Sequence, residues 1–285
     1  MQITNPFTDT DFADFQIQAG KATKVHKINK TFVYQYPIKG NFSMFYTNSW
    51  QPEITLLAKK EKAIYTLVES YQKQEPKTKT TKPFKNIIPR YTQAIDLHLP
   101  ETEILKHMHT KGRYNIRLAA KKGIVIKQSH DIDSFYRLLQ KTGQRDEFHI
   151  NPKKHYEALL QCLYEKGKAK MFLAFHNEEP IAGIINTYIG NTATYYYGAS
   201  DYKYRNLMAP YLLQWHAIKD AKKHKFDTYD FLGIADPNNP KDPLVGVTNF
   251  KQKFGGQTIK HPKGFAVVHK PVLYFLLLLK KKLKI

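Results

Sequence analysis

The stretch MFLAFHNEEPIAGIINTYIGNTATYYYGAS, residues 171–200, decides the fold that we predict for this chain. It indicates three β-strands joined by two tight turns, because Asn and Gly accept the backbone conformations of such turns. A second stretch, KVHKINKTFVYQYPIKGNFSMFYTNSW at residues 24–50, has the same order of strands and turns. The turns match in position: Asn177 and Gly190-Asn191 in one stretch, Asn29 and Gly40-Asn41 in the other. This match predicts a duplicated α/β unit.

Helices and further strands are predicted outside these stretches. Pro210 suits the first turn of a helix in which Leu213, Ala217 and Ala221 share one face. Other helices are predicted from Glu101 onward and over residues 131–142 and 155–163, and other strands over residues 91–97 and 228–232. We therefore predict a mixed α/β fold of two tandem domains. The first spans residues 1–128, with residues 262–285 packing on it, and the second spans residues 129–261.

The charge balance of the chain is strongly basic. Lys and Arg number 45 against 24 Asp and Glu, a formal net charge of +21 over 285 residues. Such an excess favours anionic partners: nucleic acid, phosphorylated metabolites or an acidic membrane surface. The single cysteine, Cys162, argues against a disulfide framework and a thiolate metal cluster. His107 and His109 have no third ligand at a suitable spacing, so we expect no metal site.

The two chain ends bear on localisation. The first residues, MQITNPFTDTDF, lack the apolar core of a secretory signal. The apolar run Val272–Leu279 is shorter than the roughly 20 residues that span a bilayer. We therefore expect a cytoplasmic, monomeric protein that can work at the inner face of the cell membrane. Lysines 280, 281, 282 and 284 follow the run, so this segment either touches an anionic membrane or packs as a final helix.

The segment RNLMAP, residues 205–210, lies between a predicted strand and a predicted helix. Acetyltransferases of the GNAT fold carry a glycine-rich loop at this place, where backbone amides at a helix N-terminus bind the pyrophosphate of coenzyme A. The position and Arg205 resemble that loop, so the fold is similar to GNAT. Met208 and Pro210 stand in place of the glycines, and both side chains obstruct a pyrophosphate. We therefore expect no acetyl-CoA donor.

Four segments carry a resemblance to a known family: GRYNIRLAAKKG from residue 112, YYYGASDYKYRNLMAPYLLQW from 195, TYDFLG from 228 and NFKQKFGG from 249. In this order and spacing they resemble the FemA/FemB/FemX family. The resemblance implies two tandem GNAT-like domains, here without the coiled-coil arm of some members. It also implies transfer of an amino acid of the Gly, Ala or Ser type from aminoacyl-tRNA, a co-substrate in place of any cofactor. The implied acceptor is a stem-peptide amine of UDP-MurNAc-pentapeptide or lipid II.

The resemblance also suggests catalytic residues. Lys251 matches a family position implicated in stabilising a tetrahedral oxyanion, and Lys253 is expected beside it on the same strand face. An ordinary surface lysine at a strand end is the alternative for Lys251. Asp96 could orient or deprotonate the acceptor amine, or it could cap the end of its strand.

Substrate-binding candidates lie around residues 195–206. Arg205, with Asn206 beside it, is a candidate for phosphate contacts, although Arg205 could instead pair with a carboxylate near the helix N-terminus. Alternation along the strand predicts that Tyr196 faces away from Tyr195 and Tyr197. Tyr197 is assigned to the substrate cleft on this basis.

A basic stripe is predicted on the helix that begins near Glu101. Lys106, Arg113, Arg117 and Lys121 recur at helical spacing along it. Arg113 and Arg117 are candidates for contacts with tRNA or with the acceptor phosphates, and a solvated face is the alternative. Two other functions are open: an acyltransferase of this fold with another activated donor, and a non-catalytic basic module that binds RNA or a membrane.

Overall fold

The computed structural model describes residues 1–38, 40–74, 76 and 78–283 and divides the chain into two compact units. The terminal unit, named for its place in the sequence, comprises Asn5–Arg90 and the described residues from Lys260 onward. The central unit comprises Met1–Thr4 and Tyr91–Ile259. The chain therefore divides after Arg90 and Ile259 instead of after the predicted residues 128 and 261. The reason is that both strands between residues 91 and 128 belong to the sheet of the central unit.

The terminal unit is built on a five-stranded sheet, and its elements are numbered along the whole chain. The strands, in hydrogen-bonded order, are β1 (Lys24–Ile28), β2 (Thr31–Pro37), β3 (Ser43–Thr47), β4 (Ala63–Val68) and β12 (Phe265–Val268). The helices are α1 (Thr10–Gln18), α2 (Glu53–Lys60) and α9 (Pro271–Leu283). Ile54 and Ala58 of α2 form a buried cluster with Val33 and Phe45. This cluster fixes α2 on the sheet between the parallel strands β3 and β4.

The central unit has a seven-stranded sheet. Its strands are β5 (Tyr91–Asp96), β6 (Val125–Gln128), β7 (Ala169–His176), β8 (Glu179–Ile189), β9 (Thr192–Ser200), β10 (Thr228–Gly233) and β11 (Gln257–Lys260), in the spatial order β11-β5-β10-β9-β8-β7-β6. Its helices are α3 (Glu101–His107), α4 (Thr110–Lys121), α5 (Ile132–Asp146), α6 (Lys153–Leu163), α7 (Ala209–Lys223) and α8 (Val245–Lys251). The longest of these, α5 and α7, have 15 residues each, and no coiled-coil arm interrupts the described part of this unit.

The predicted duplication is confirmed by topology. β1-β2-β3 and β7-β8-β9 are both antiparallel meanders, and each is followed by a helix and then by a strand parallel to its third strand. The turn residues take the left-handed conformation that their types favour: φ is 53° at Asn29 and 47° at Asn177, 75° at Gly40 and 58° at Gly190. The same residue types at the turns therefore produce the same meander in both copies.

Helices cover both faces of the central sheet. Phe172 packs against His216 of α7 at 5.1 Å between ring centroids, whereas Leu173 lies with Phe135 of α5 against Gly183. Neighbouring residues of a strand point to opposite faces, so α7 and α5 lie on opposite sides of β7. The α7 side contains the large apolar cluster of this unit, to which α4 also contributes.

The predicted basic helix from Glu101 to Lys121 is wrong in one respect: it is two helices. α3 ends at His107 and α4 begins at Thr110, with the His109 Nδ1 atom accepting a hydrogen bond from the Lys111 N–H at 3.0 Å. Lys106 therefore lies on a different helix from Arg113 and Lys121. The predicted stripe is broken because His109 caps a new helix, which helical spacing alone does not reveal.

Candidate active site

A cleft opens where two parallel strands of the central unit diverge. β9 pairs with β10 only over Thr192–Thr194 and Thr228–Asp230, whereas its pairing with β8 continues to Ser200. The cleft beside the diverging part of β9 has a volume of about 870 Å³. Its walls include Tyr195 and Gly198 of β9 and Gln214 of α7. Through Tyr195 the cleft lies next to the buried Lys251, whose Nζ is 5.7 Å from the centre of that ring.

Lys251 lies at the end of α8 and is buried, with 7% of its surface exposed. The predicted position on a strand face is therefore wrong, and so is the alternative of a surface lysine. Its Nζ donates a hydrogen bond to the Gly233 carbonyl at 2.6 Å and lies 5.7 Å from the centre of the Tyr195 ring. Burial lowers the pKa of the Lys251 ammonium to about 8, while the Asp230 carboxylate acts in the opposite direction. The side chain is therefore mainly a cation at neutral pH, held next to a ring that lines the cleft.

Asp230 is a second ionisable residue of this site, and sequence reasoning missed it. It is buried in β10, where Thr92 donates its hydroxyl and Leu232 donates its N–H, the latter at 2.8 Å, to the carboxylate. Burial raises the pKa of Asp230 to about 6, against the opposing effects of these hydrogen bonds and of Lys251. An acidic residue inside the otherwise apolar strand TYDFLG was the available signal, because buried carboxylates need partners.

The backbone after Asp230 is strained. Leu232 has φ of 60°, a left-handed conformation that is unfavourable for a branched side chain. The register between β10 and β5 shifts over Asp230 and Gly233. This kink directs the Leu232 N–H to Asp230, and Gly233, the next residue, presents its carbonyl to Lys251. Asp230 and Lys251 therefore both form hydrogen bonds with the backbone of the short distorted segment at residues 232–233.

The three tyrosines of β9 do not alternate as predicted. Ile185 pairs with Tyr197 but Asn186 pairs with Tyr195, so Tyr196 is the extra residue of a β-bulge. Tyr195 belongs to the apolar cluster on the α7 side, whereas Tyr197 donates to or accepts from His155 Nε2 of α6 at 2.7 Å. Tyr195 and Tyr197 therefore face opposite sides of the sheet, and Tyr195 is the one that lines the cleft.

Gly198 makes room for the Tyr195 ring. A Cβ atom at Gly198 would lie 1.8 Å from the Tyr195 hydroxyl oxygen, far inside any real contact. Burial raises the pKa of Tyr195 to about 12, so its phenol stays neutral and can donate a hydrogen bond. The bulge and this glycine together place a neutral phenol at the cleft wall, with the centre of its ring 5.7 Å from Lys251 Nζ.

Asp96 lies away from this group. In the antiparallel pairing of β5 with β10, Asp96 is opposite Thr228, whereas Thr92 is opposite Gly233. Four residues of strand separate these two ends, or about 13 Å. The Asp96 carboxylate accepts the His98 N–H at 3.0 Å, as a strand-end cap does. The structure therefore does not bring Asp96 and Lys251 together.

Arg205 and Asn206 lie on an exposed 3-10 turn, Tyr202–Leu207, before α7. The Arg205 guanidinium stacks 4.4 Å from the centre of the Tyr202 ring, and its Nη1 donates to the Tyr202 carbonyl at 3.3 Å. Arg205 also lines a small recess of about 120 Å³ with Pro210. Pro210 borders the large cleft as well, so the two recesses are neighbours at the start of α7.

Arg113 and Lys253 join α4 to its neighbours. Nη1 of Arg113 donates to the carbonyls of Leu105 at 3.3 Å, Lys106 at 3.2 Å and Met108, and so satisfies the C-terminus of α3. The Lys253 carbonyl accepts the His109 N–H at 3.1 Å and lies against Gly112, where a Cβ would be 2.4 Å away. Arg117 remains exposed on α4, as does Lys121. The Arg113 guanidinium therefore has a structural role as the cap of α3, and a phosphate would have to compete with the α3 carbonyls for it.

Metal chemistry has no residue cluster to support it in the described part of the chain. Among residues 1–38, 40–74, 76 and 78–283, no group of three His, Cys, Asp or Glu side chains is placed to hold a metal ion. The charged residues that line the cleft are Arg145, Asp146 and Glu147, whereas the buried Lys251, with Asp230 as its electrostatic neighbour, lies 5.7 Å from the Tyr195 ring of the cleft wall.

The duplicated meanders, each followed by a helix and a parallel strand, and the cleft at the diverging strands define a protein of two tandem GNAT-like domains. The family model described as FemAB family matches residues 77–177 and 164–282. These matches cover more than half of the chain, and the protein belongs to the FemAB family.

Individual relatives are distant. The chain is similar to the lipid II:glycine glycyltransferase of Staphylococcus epidermidis, with 22% identity over 268 residues that cover 70% of this chain and 64% of the relative. The Staphylococcus aureus protein of the same name is 22% identical over 237 residues, covering 59% of this chain and 56% of the relative. The chain thus spans less than two thirds of the length of these curated relatives.

Solved structures support the fold over the whole length. The crystal structure of FemX superposes with a TM-score of 0.80 at 18% identity, covering 98% of this chain and 99% of that chain. The C-terminal domain of a putative lysylphosphatidylglycerol synthetase from Agrobacterium fabrum reaches a TM-score of 0.61 at 10% identity, covering 95% and 91%. At these identities the comparisons concern the fold.

Proposed function

We propose that this protein is an aminoacyltransferase that moves an amino acid from aminoacyl-tRNA to an amine of a peptidoglycan-precursor stem peptide. The observation that carries the proposal is the buried Lys251 cation beside the cleft of a FemAB-family chain. The names of the staphylococcal relatives favour glycine as the amino acid and lipid II, in preference to UDP-MurNAc-pentapeptide, as the acceptor.

The reaction needs little covalent help from the protein. The aminoacyl ester of the donor is already activated, so the neutral acceptor amine attacks its carbonyl carbon and a C–N bond forms. The resulting tetrahedral oxyanion collapses, the C–O bond to the tRNA ribose breaks, and the ribose oxygen takes up the proton that the amine loses. Orienting the two substrates and stabilising the oxyanion are then the main tasks of the protein.

Lys251 is suited to the second task. In the proposed complex, the reacting carbonyl lies beside Tyr195, where β9 and β10 diverge, and its oxygen turns toward the Lys251 ammonium. The Gly233 carbonyl holds Nζ in place, so the cation needs little reorganisation when charge develops. Burial strengthens this interaction because the surrounding dielectric constant is low. Asp230 favours the charged form of Lys251 and so keeps it available as a cation.

A basic cleft in the terminal unit is our candidate for the acceptor phosphates. Its volume is about 650 Å³, and its walls include Lys82, Lys85, Arg90 and Lys263. The pKa of Lys21 is lowered mainly by burial and then by repulsion from Lys85, so Lys21 lies near this cleft. A diphosphate would relieve such repulsion. The buried Glu69 also lines this cleft.

The positive charge of the protein supports aminoacyl-tRNA as the donor. The chain carries a formal net charge of +21, and Arg117 and Lys121 are exposed on one helix of the central unit. A polyanion such as tRNA binds surfaces of this kind through its phosphates, with an affinity that falls as salt is added.

A transfer assay tests the proposal. Purified protein is incubated with labelled glycyl-tRNA and either lipid II or UDP-MurNAc-pentapeptide, and labelled acceptor is separated and counted. We expect label on lipid II and none when free glycine replaces glycyl-tRNA. Transfer from an acyl-CoA thioester with no transfer from any aminoacyl-tRNA would contradict the proposal and favour another acyl donor.

A further inference from the structure

The C-terminal helix α9 exposes an apolar stripe. Tyr274 marks its packed side, since its hydroxyl donates to the Lys82 carbonyl at 2.8 Å and its ring contacts Tyr65 at 5.0 Å. Successive helical residues turn by about 100°, so Val272, Leu276, Leu279 and Leu283 fall on the opposite side. Three of them are strongly exposed: Val272 at 73%, Leu276 at 53% and Leu283 at 60%. Phe275, also exposed, lies at the edge of this stripe.

Lysines border the stripe on both sides. By the same helical geometry Lys280 lies at one edge and Lys282 at the other, and both are exposed. Lys281 instead points to the packed side, where its Nζ donates to the Phe84 carbonyl at 2.5 Å. The sequence of α9 contains no acidic residue. An apolar stripe with a lysine at each edge is typical of a helix that lies in a membrane interface, with its ammonium groups at the lipid phosphates. Lys284, predicted to share this role, lies outside the described residues.

The helix is suited to lie on a bilayer and not to cross it. α9 spans Pro271–Leu283, and within the described part of the chain no helix is long and apolar enough for a membrane span. A second copy of the chain would also cover the stripe. That association would bring two chains of net charge +21 together, with lysines facing lysines, and this repulsion favours an anionic surface instead.

We propose that α9 docks the protein on the surface of an anionic phospholipid bilayer. Its stripe enters the boundary between headgroups and acyl chains, and Lys280 and Lys282 contact the phosphates. Lys281, on the side of α9 opposite the stripe, lines the basic cleft of the same unit, so docking holds that cleft behind the helix, one helix diameter (~10 Å) from the lipid surface, where it can meet the phosphates of an acceptor. This last consequence rests on the proposed lipid-linked acceptor, whereas the docking itself rests on α9 alone.

Vesicle sedimentation tests the docking without substrate. The full chain is mixed at low salt with vesicles of phosphatidylcholine, or of phosphatidylcholine with one quarter phosphatidylglycerol. We expect binding to the anionic vesicles and much weaker binding to the neutral ones. The triple variant Leu276→Gln, Lys280→Gln, Lys282→Gln should bind the anionic vesicles at least about 25-fold more weakly, since each of the two lysines near such a surface contributes about fivefold and the loss of Leu276 adds to this.

Helix α2 offers a matched control in the same unit. Leu56 is 71% exposed and the helix ends in Lys59 and Lys60. The variant Leu56→Gln, Lys59→Gln, Lys60→Gln removes the same charge and one exposed leucine, and we expect it to bind like the wild type. If both variants lost vesicle binding equally, the loss would be explained by net charge alone, and this would overturn the proposal. Circular dichroism and melting temperature check that both variants fold.

Two further measurements separate a bilayer from a second copy. Tryptophan emission of the variant Leu276→Trp should shift to shorter wavelength when anionic vesicles are added, because the ring enters the interface. No shift would contradict insertion of the stripe. Sedimentation equilibrium without lipid should show a monomer. A dimer that the α9 variant dissociates, with no vesicle binding by the wild type, would assign the stripe to a second copy and overturn the proposal.

Discussion

The two copies of the α/β unit differ most at their parallel strand pair. In the terminal unit β3 and β4 stay paired from Ser43–Ala63 to Thr47–Val68. In the central unit β9 leaves β10 after Thr194, and a cleft occupies the space beside it. The same topology therefore gives a closed strand pair in one copy and a substrate-sized opening in the other. Duplication supplied the architecture, and strand divergence in one copy supplied the candidate site.

The buried carboxylates of the two copies are stabilised differently. Glu69, directly after β4, accepts the N–H groups of Ile87 and Ile88, both at 2.9 Å. Burial raises its pKa to about 7 against these hydrogen bonds. Asp230 of β10 also has hydrogen bonds, but it faces the Lys251 cation as well. Glu69 holds backbone amides and so organises a loop, whereas Asp230 favours the charged form of Lys251, the residue that we propose stabilises the oxyanion.

The substitution Lys251→Met tests the catalytic side of this comparison and should have the largest effect. We expect kcat for transfer to fall by about 10²–10³, because an oxyanion stabiliser is lost while a buried side chain of similar length remains. Lys223→Met, at an exposed position on α7, is the control and should keep its activity. Undiminished turnover in folded Lys251→Met protein would remove this lysine from the mechanism.

The substitution Glu69→Gln tests the structural side. The folded-state pKa of Glu69 is raised, so the folded protein binds more protons than the unfolded chain between about pH 4.5 and 7, and wild-type stability falls as pH rises through this window. Glutamine does not titrate and can accept the same two N–H groups. Its stability relative to wild type should therefore grow by up to about 3 kcal/mol between pH 4.5 and 8. Urea unfolding at both pH values measures this, and a constant difference would contradict it.

The substitution Asp230→Asn asks whether the carboxylate of the central unit acts through Lys251. Asp230 raises the pKa of Lys251, so its neutralisation should lower that pKa and move the alkaline limb of the kcat/KM profile to lower pH. Activity should fall severalfold at pH 8 and recover as the pH is lowered. A uniform loss at every pH would indicate a purely structural role, since Asn can still accept from Thr92 and Leu232.

Substitutions on α4 should have smaller effects, and these effects should distinguish Arg113 from Arg117 and Lys121. Arg113→Gln should cost about 1–2 kcal/mol of unfolding free energy, because the α3 carbonyls lose their donor, and should leave the salt dependence of tRNA binding unchanged. The pair Arg117→Gln, Lys121→Gln should leave stability unchanged and reduce the salt slope by about 0.7–0.9 per lost phosphate contact. If Arg113→Gln instead reduced the salt slope and left stability unchanged, Arg113 would be assigned to tRNA binding.

Much of the fold was predictable because its signals are local. The helices predicted over residues 131–142, 155–163 and 210–221 are present, as are both meanders, since capping, periodicity and turn chemistry act over a few residues. The domain boundary at residue 128 was not, because β5 and β6 join the central sheet through pairing with distant strands. The family resemblance is confirmed by the family match.

The sequence by itself determined the family, the repeated meanders and the amphipathic pattern of α9, since each is encoded in neighbouring residue types. Only the tertiary structure decided the roles of the individual charges. Lys251 became a buried cation because α8 packs it against Gly233, and Arg113 became a helix cap because α4 folds back on α3. The bulge at Tyr196 likewise reversed which tyrosine lines the cleft. These outcomes depend on strand register and burial, which contacts between distant segments set and local spacing does not encode.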